Sequence, residues 1–445
     1  MNTVAAPTNT TIDVRAIWAL AVPAMITNVA TALIGIGDVW IVGRLGDPAA
    51  QGAVDIGARM FALLFVAVNF LKTGTTGLVA QAGRRDGEAE QVAILLRALF
   101  IGAIAAIILL AAKSLLQPWL ISLLGATGRV AQQADIYVGI RYWSAPAFFA
   151  NLALVGYLVG QRRVRAVLVI EVAYNVLNVG LAWWLTLRLG FGIAGIGWSS
   201  FIAELAKLAI TIGVIWRTGS IAGSLRNLAM ASILSRERLL PFLAINRDLF
   251  LRTLILAACM AAVTRIGASQ GAVILAANAI IFQLFVFTAL LIDGFENAAQ
   301  VLCGEAYGER SKSAFRGYMK AILKRGLVVG GLVSAVFVIA SQPILQSFAA
   351  TAEVASAAEA VSVWLIVFPL AGVASFVFDG VFVGASWTRE LLLTMIGSTI
   401  VFAVSLWLLL PFGNGGLWAS FAIFLFVRAV LQAALLPRLM RRSFA

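Results

Sequence analysis

The chain of 445 residues contains no histidine and only two cysteines, and just 12% of it is charged. Without imidazole there is no His-centred general base, no His-bound zinc and no His proton relay. Cys259 and Cys303 lie in apolar segments without a CxxC partner, so neither a disulfide framework nor a thiolate metal site is expected. No GxxxxGK[ST] run is present, which excludes ATP hydrolysis through a P-loop, and no TVGYG-like filter points to a potassium-type channel. The opening MNTVAAPTNTTIDVR lacks the basic-then-apolar layout of a cleaved signal, so the first apolar run is expected to be a retained span.

What the chain has instead is apolar length. Hydrophobic residues make up 62% of it, with 40 glycines, and the mean hydropathy is +0.98. A span needs about 20 such residues to cross a hydrocarbon core. Apolar runs fall at about 17–42, 53–80, 93–112, 136–160, 166–187, 191–216, 241–266, 272–303, 326–348, 358–384, 391–411 and 416–437. The expected fold class is therefore an all-α polytopic membrane protein with twelve transmembrane helices. The longest connector, 217–240, carries Arg226, Arg236 and Arg238 and divides the chain into a six-helix lobe at 1–216 and another at 241–445.

The net charge of +13 comes from 33 Lys and Arg scattered between apolar runs, which form no continuous basic face for nucleic acid. They report topology instead, because loops rich in Lys and Arg stay on the cytoplasmic side. With twelve spans, 21 of them fall on the side of the N-terminus, 5 on the other side and 7 within spans. Both termini are expected in the cytoplasm, in the inner or plasma membrane.

The halves also resemble one another. LVGYLVGQRRVR at 154–165 aligns with FDGVFVGASWTR at 378–389, and LVAQA at 78–82 with LCGEA at 302–306, both at an offset of 224. GIGWSSF at 195–201 follows with GGLWASF at 415–421. An offset enclosing six spans returns the chain to its starting side, so the repeats are parallel and enclose a central cavity between two pseudo-symmetric lobes. That is transporter architecture, and it does not by itself name a substrate.

Ionisable side chains within a span cost about 2.5–3.5 kcal/mol at its centre on insertion scales, so each needs a partner or a use. In the first span Asn28, Thr31, Gly35 and Asp38 share one helical face, and Pro23 frees a backbone carbonyl and bends the helix. Burial disfavours the charged form of a carboxyl group, which makes Asp38 the candidate proton-exchanging residue. A structural aspartate bonded to its neighbours is the alternative. In the fifth span Glu171, Asn175, Asn178 and Ala182 share a face. The two amides would support Asp38 if the helices meet, or else pack the helices together; Glu171 reads as a solvated or Arg-paired rim group. Asp293, Glu296, Asn297 and Gln300 line the eighth span and Asp379 lies in the tenth. These five are a candidate cation or substrate site, or members of a network with Arg252, Arg428 or Lys72. Asp248, between Arg247 and Arg252, reads as locally paired. No metal site and no cofactor beyond an ion gradient is expected.

With these residues in view, the chain resembles the multidrug and toxic compound extrusion family, and within it the DinF-like branch. The segments that carry the likeness are PAMITNVATALIGIGDVWIVGRLGDPAAQGAV, FLKTGTTGLVAQAGRRDG, NRDLFLRTL, LAANAIIFQLFVFTALLIDGFENAAQVLCGEAYG and FVFDGVFVGASWTRE. The resemblance implies a V-shaped exporter, not an enzyme, that expels amphipathic or cationic compounds by cation antiport. It carries the coupling role to Asp38, bending to Pro23 and the supporting amides to Asn175 and Asn178. Many relatives have a second Asp where this chain has Ala182, and Gln300 replaces a Glu common in the branch. The missing carboxylate favours protons over sodium, since hard cations take several oxygen ligands. A monomer is the expected working unit. The alternatives are sodium-coupled drug export, or a lipid-linked saccharide flippase using Arg59, Arg141, Arg252 and Arg428 to hold a pyrophosphate.

Overall fold

A computed structural model of the chain describes residues 12–66, 68–217, 233–349 and 351–444. Most of the expected linker 217–240 and the first eleven residues lie outside these. Every regular element among the described residues is helical: α1 Val14–Gly43, α2 Pro48–Val66, α3 Phe70–Arg85, α4 Glu88–Ala111, α5 Lys113–Leu123, α6 Gly128–Arg141, α7 Ala145–Gly160, α8 Val164–Trp183 and α9 Ile193–Arg217 come first. After the linker follow α10 Arg236–Ser269, α11 Ala272–Gly308, α12 Lys312–Phe348, α13 Ala352–Glu359, α14 Val363–Gly384, α15 Thr388–Leu409 and α16 Gly413–Ser443.

Ten segments among the described residues are long and apolar enough to cross a membrane. One of them, Thr388–Ser443, contains α15 and α16 and so holds two of the twelve expected spans. The expected span 53–80 falls outside the ten because it is broken: Val68 and Asn69 form a turn between α2 and α3, and α3 carries Lys72, Arg84 and Arg85. Side chains such as Ile107, Ile339 and Trp407 stand more than half exposed on these helices, as lipid-facing residues do. The protein is a multi-pass membrane protein.

The chain divides into two compact units, Pro23–Leu254 and Ile255–Ala445, the latter including the chain up to Val22. One boundary lies at Pro23 within α1 and the other within α10. In the Pro23–Leu254 unit α7 packs on α3 and α4, α3 packs on α4, and α9 packs on α7 and α8. The Ile255–Ala445 unit repeats the pattern: α14 packs on α11 and α12, α11 on α12, and α16 on α14 and α15. Its core is aromatic, with Phe285 edge-on to Phe421 at 5.1 Å and to Phe368 at 5.4 Å between ring centroids.

The repeat extends to atomic contacts. A Cβ on Gly156 would lie 2.6 Å from the Lys72 carbonyl oxygen and one on Gly160 2.8 Å from that of Thr76. At an offset of 224, a Cβ on Gly384 would lie 2.5 Å from the Gln300 carbonyl oxygen, and one on Gly380 closer still to that of Glu296. Both helix pairs thus touch backbone to backbone, an approach only glycine allows. The helices then end alike. Arg162 and Ser386, also 224 apart, adopt left-handed φ values of 62° and 57°. The next N–H closes back onto the helix in both, Arg163 to the Leu158 carbonyl and Trp387 to that of Phe382, each at 2.8 Å. Two stretches of different sequence reach the same backbone solution because the same helix pair must close and turn in each.

Gly380→Ala is expected to cost about 1–3 kcal/mol through forced separation of α11 and α14. Gly331→Ala, which meets nothing within 4 Å, should leave stability essentially unchanged. Thermal unfolding of purified protein, followed by a thiol-reactive fluorophore reaching the buried Cys259 and Cys303, measures both. Equal melting of the two variants would contradict the close-approach account.

Candidate functional site

The polar interior of the Pro23–Leu254 unit is built from α1, α6, α7, α8 and α9. On α1, the Thr27 hydroxyl donates to the Pro23 carbonyl at 2.8 Å and the Thr31 hydroxyl to that of Thr27 at 2.9 Å, so both are spent on their own helix beside the proline. Asn28 is half-buried on the same helix, and the surroundings of Gly35 lie outside the described residues. Helices α1 and α8 meet where a Cβ on Gly37 would stand 3.0 Å from a Val179 methyl. Asp38 and Asn178 are the chain neighbours of these two contact residues.

Asp38 is 5% exposed, and its Oδ1 is buried without a hydrogen-bond partner among the described residues. The Arg141 guanidinium at the end of α6 acts on it electrostatically, but no ion pair joins them. Arg141 is held elsewhere: Nη1 donates to the Tyr137 hydroxyl, and the guanidinium lies 4.7 Å from the Phe61 ring centroid. The carboxylate therefore feels a fixed positive charge without being locked to it.

On α8, Asn178 donates to the Ser200 hydroxyl at 3.5 Å; among the described residues its Oδ1 and both polar atoms of Asn175 are buried without a hydrogen-bond partner. Neither amide hydrogen-bonds Asp38 among the described residues. Ala182 is fully buried, a small apolar side chain one turn beyond Asn178. Buried polar atoms are nearly always satisfied, so four unpaired ones from Asp38, Asn175 and Asn178 describe an interior with capacity for added donors, protons or water.

Sequence reasoning missed the other half of this interior. Glu171 is neither solvated nor paired with arginine: it takes Lys207 of α9 at 2.7 Å, with both side chains nearly buried. Glu204, one turn earlier on α9, accepts from Asn151 of α7 at 2.7 Å and from the Tyr174 hydroxyl. A signal was available. Ser200, Glu204, Lys207 and Thr211 follow the same 4-3-4 spacing as Glu171, Asn175, Asn178 and Ala182.

In the Ile255–Ala445 unit the candidate acids serve different ends. Asp379 is fully buried and holds Arg428 at 2.5 Å and the Gln432 amide at 2.6 Å. Asn297 donates to the Asp293 backbone carbonyl at 2.8 Å; Asp293 and Glu296 are half-buried, and Gln300 is buried. Arg59 is exposed and paired with Asp55 at 2.9 Å, so neither Arg59 nor Arg428 is available to a pyrophosphate without giving up a carboxylate. Asp248 pairs with its neighbour Arg247 at 2.7 Å.

Comparison with known proteins places these residues in a family. The MatE family pattern matches residues 23–184 and 248–408, two stretches that start 225 residues apart, in agreement with the internal repeat. DNA damage-inducible protein F of Escherichia coli (strain K12) is 33% identical over 431 residues, covering 95% of this chain and 92% of that protein. A crystal structure of MATE in the bent conformation superimposes with a TM-score of 0.86 at 19% identity, covering 96% of each chain. The outward-facing conformation of a multidrug resistance MATE family transporter of the MOP superfamily matches with a TM-score of 0.85 at 18% identity, covering 97% of this chain and 96% of that one. At these identities the two structures speak for the fold.

Arg428→Met should cost about 3–5 kcal/mol, because it leaves the Asp379 charge buried without its partner. The double variant Asp379→Asn, Arg428→Met is expected to recover most of that loss. Melting temperatures of the purified proteins check this; a single variant as stable as the parent would show that the pair does not carry the burial of Asp379.

Proposed function

The chain belongs to the MatE family, and on that premise we propose that it exports amphipathic or cationic small molecules in exchange for protons, with Asp38 as the coupling residue. It is a member of a transporter family and not an enzyme. Its repeat of two similar helix sets, the basis of alternating access in many transporters, supports a rocking mechanism. The multidrug resistance transporter with the same fold supports the substrate class. The observation that carries the coupling reading is the buried, unpartnered carboxyl oxygen of Asp38 beside the fixed Arg141.

Substrate occupies the interior when Asp38 is ionised. A proton arriving from outside removes that charge, α1 bends at Pro23, and the substrate leaves. One proton moving inward down about 100 mV contributes roughly 2.3 kcal/mol, close to fiftyfold in concentration ratio. A single carboxylate therefore suffices for useful pumping. Protons are favoured over sodium because Ala182 brings no oxygen ligand to the site. The count of 21 basic residues against 5 supports a cell-membrane protein with both termini in the cytoplasm.

Purified protein in liposomes, loaded with ethidium, tests the reading. Asp38→Asn is expected to insert normally and to lose at least 90% of flux driven by a pH gradient. Unimpaired flux in that variant removes Asp38 from the mechanism, and flux driven by a sodium gradient at clamped pH replaces the coupling ion.

A further inference from the structure

The cycle above makes no use of α12, whose first fourteen residues carry Lys312, Arg316, Lys320, Lys324 and Arg325 and no acid. Along this helix Arg316, Lys320 and Lys324, then Val328 and Leu332, follow one another at steps of four, all of them exposed. The strip changes from cationic to aliphatic between Lys324 and Val328. Four residues advance an α-helix by about 6 Å, which matches one headgroup layer of a bilayer, about 5–8 Å deep. Lys320 and Lys324 therefore reach headgroup level where Val328 meets acyl chains.

The strip is grooved rather than flat. The chain entering α1 packs on α12, where a Cβ on Gly317 would strike the Ile12 side chain. Further along α1, Trp18 faces Gly317, Lys320, Ala321 and Lys324 across a cleft of about 550 Å³. A second cleft, of about 460 Å³, runs beside Leu327, and Lys320, Lys324 and Val328 line both. Gly317 and Ala321 are too small to fill the first cleft. Trp18, 37% exposed, is its wall, held edge-on to Phe295 at 5.5 Å between ring centroids. Arg325 spends Nη1 on the Ala321 carbonyl at 2.8 Å, whereas no ion pair or hydrogen bond holds the ammonium of Lys320 or Lys324 among the described residues.

We propose that these clefts bind an anionic phospholipid, with its phosphate between the Lys320 and Lys324 ammonium groups and an acyl chain along Trp18 and Val328. Charge and shape select this occupant together. A soluble anion would leave Trp18, Leu327 and Val328 uncovered, and a lipid without net charge would leave the two lysines uncompensated. Diffuse attraction of a basic segment to an anionic membrane needs only the number of charges, whereas a site needs them in this cleft.

The experiment follows melting of purified, delipidated protein in detergent with dioctanoyl phosphatidylglycerol, dioctanoyl phosphatidylcholine or glycerol 3-phosphate. Phosphatidylglycerol is expected to raise the melting temperature of the wild type by several degrees, saturably, and the other two to leave it unchanged. Lys320→Gln, Lys324→Gln removes two exposed and unpaired charges, so it should melt with the wild type in phosphatidylcholine and lose at least half of the phosphatidylglycerol shift. Arg438→Gln, Arg441→Gln removes the same charge from the exposed end of α16 and should keep the shift. The proposal is overturned if the two phospholipids stabilise the wild type alike, if glycerol 3-phosphate reproduces the shift, or if the two double variants respond equally.

Discussion

An ion in a hydrocarbon slab has no water to solvate it, so each charge within a span must find its counterpart inside the protein. Asp379 with Arg428 and Glu171 with Lys207 meet that demand by direct contact. Asp38 meets it only at a distance, through the field of an Arg141 whose own hydrogen bond goes to Tyr137. A locked pair cannot exchange a proton without leaving its partner stranded, whereas a carboxylate held only by a field can. Under the proposed coupling role of Asp38, the difference between these two modes of compensation separates scaffold from working part.

The scaffold is organised by backbone contact. Gly156 and Gly160 in one unit, and Gly380 and Gly384 in the other, let a helix rest directly on the carbonyl oxygens of its neighbour. Such contacts fix helix pairs with little reliance on side-chain packing, which lipid tails compete with on equal terms. Sequence can then diverge on the remaining faces. One unit carries the polar interior around Asp38 and Glu204, while the other buries an aromatic core around Phe285 and Trp418.

Much of this was legible in the amino-acid sequence. Apolar run length and the offset of 224 predicted the helices and their repetition, because span length and glycine contacts leave periodic marks. The α2–α3 break was not, since a turn at Val68 and Asn69 inside an apolar run has no strong signal. Asp38 and Pro23 stood out as costly residues in a span. The partner of Glu171 did not, and for Asp379 the sequence offered Arg428 only as one of three basic candidates: periodicity shows which residues share a helical face and says nothing of which faces meet. Lys207, 36 positions after Glu171, and Arg428, 49 after Asp379, are such cross-helix partners.

The central claim is that proton and substrate compete through Asp38. Proton release on ligand binding measures this directly, by calorimetric titration of the purified protein with ethidium in buffers of different ionisation enthalpy. The account predicts release of up to one proton per ethidium bound near neutral pH, and none in Asp38→Asn. Binding without proton release in the wild type, at every pH from 5 to 8, would contradict it.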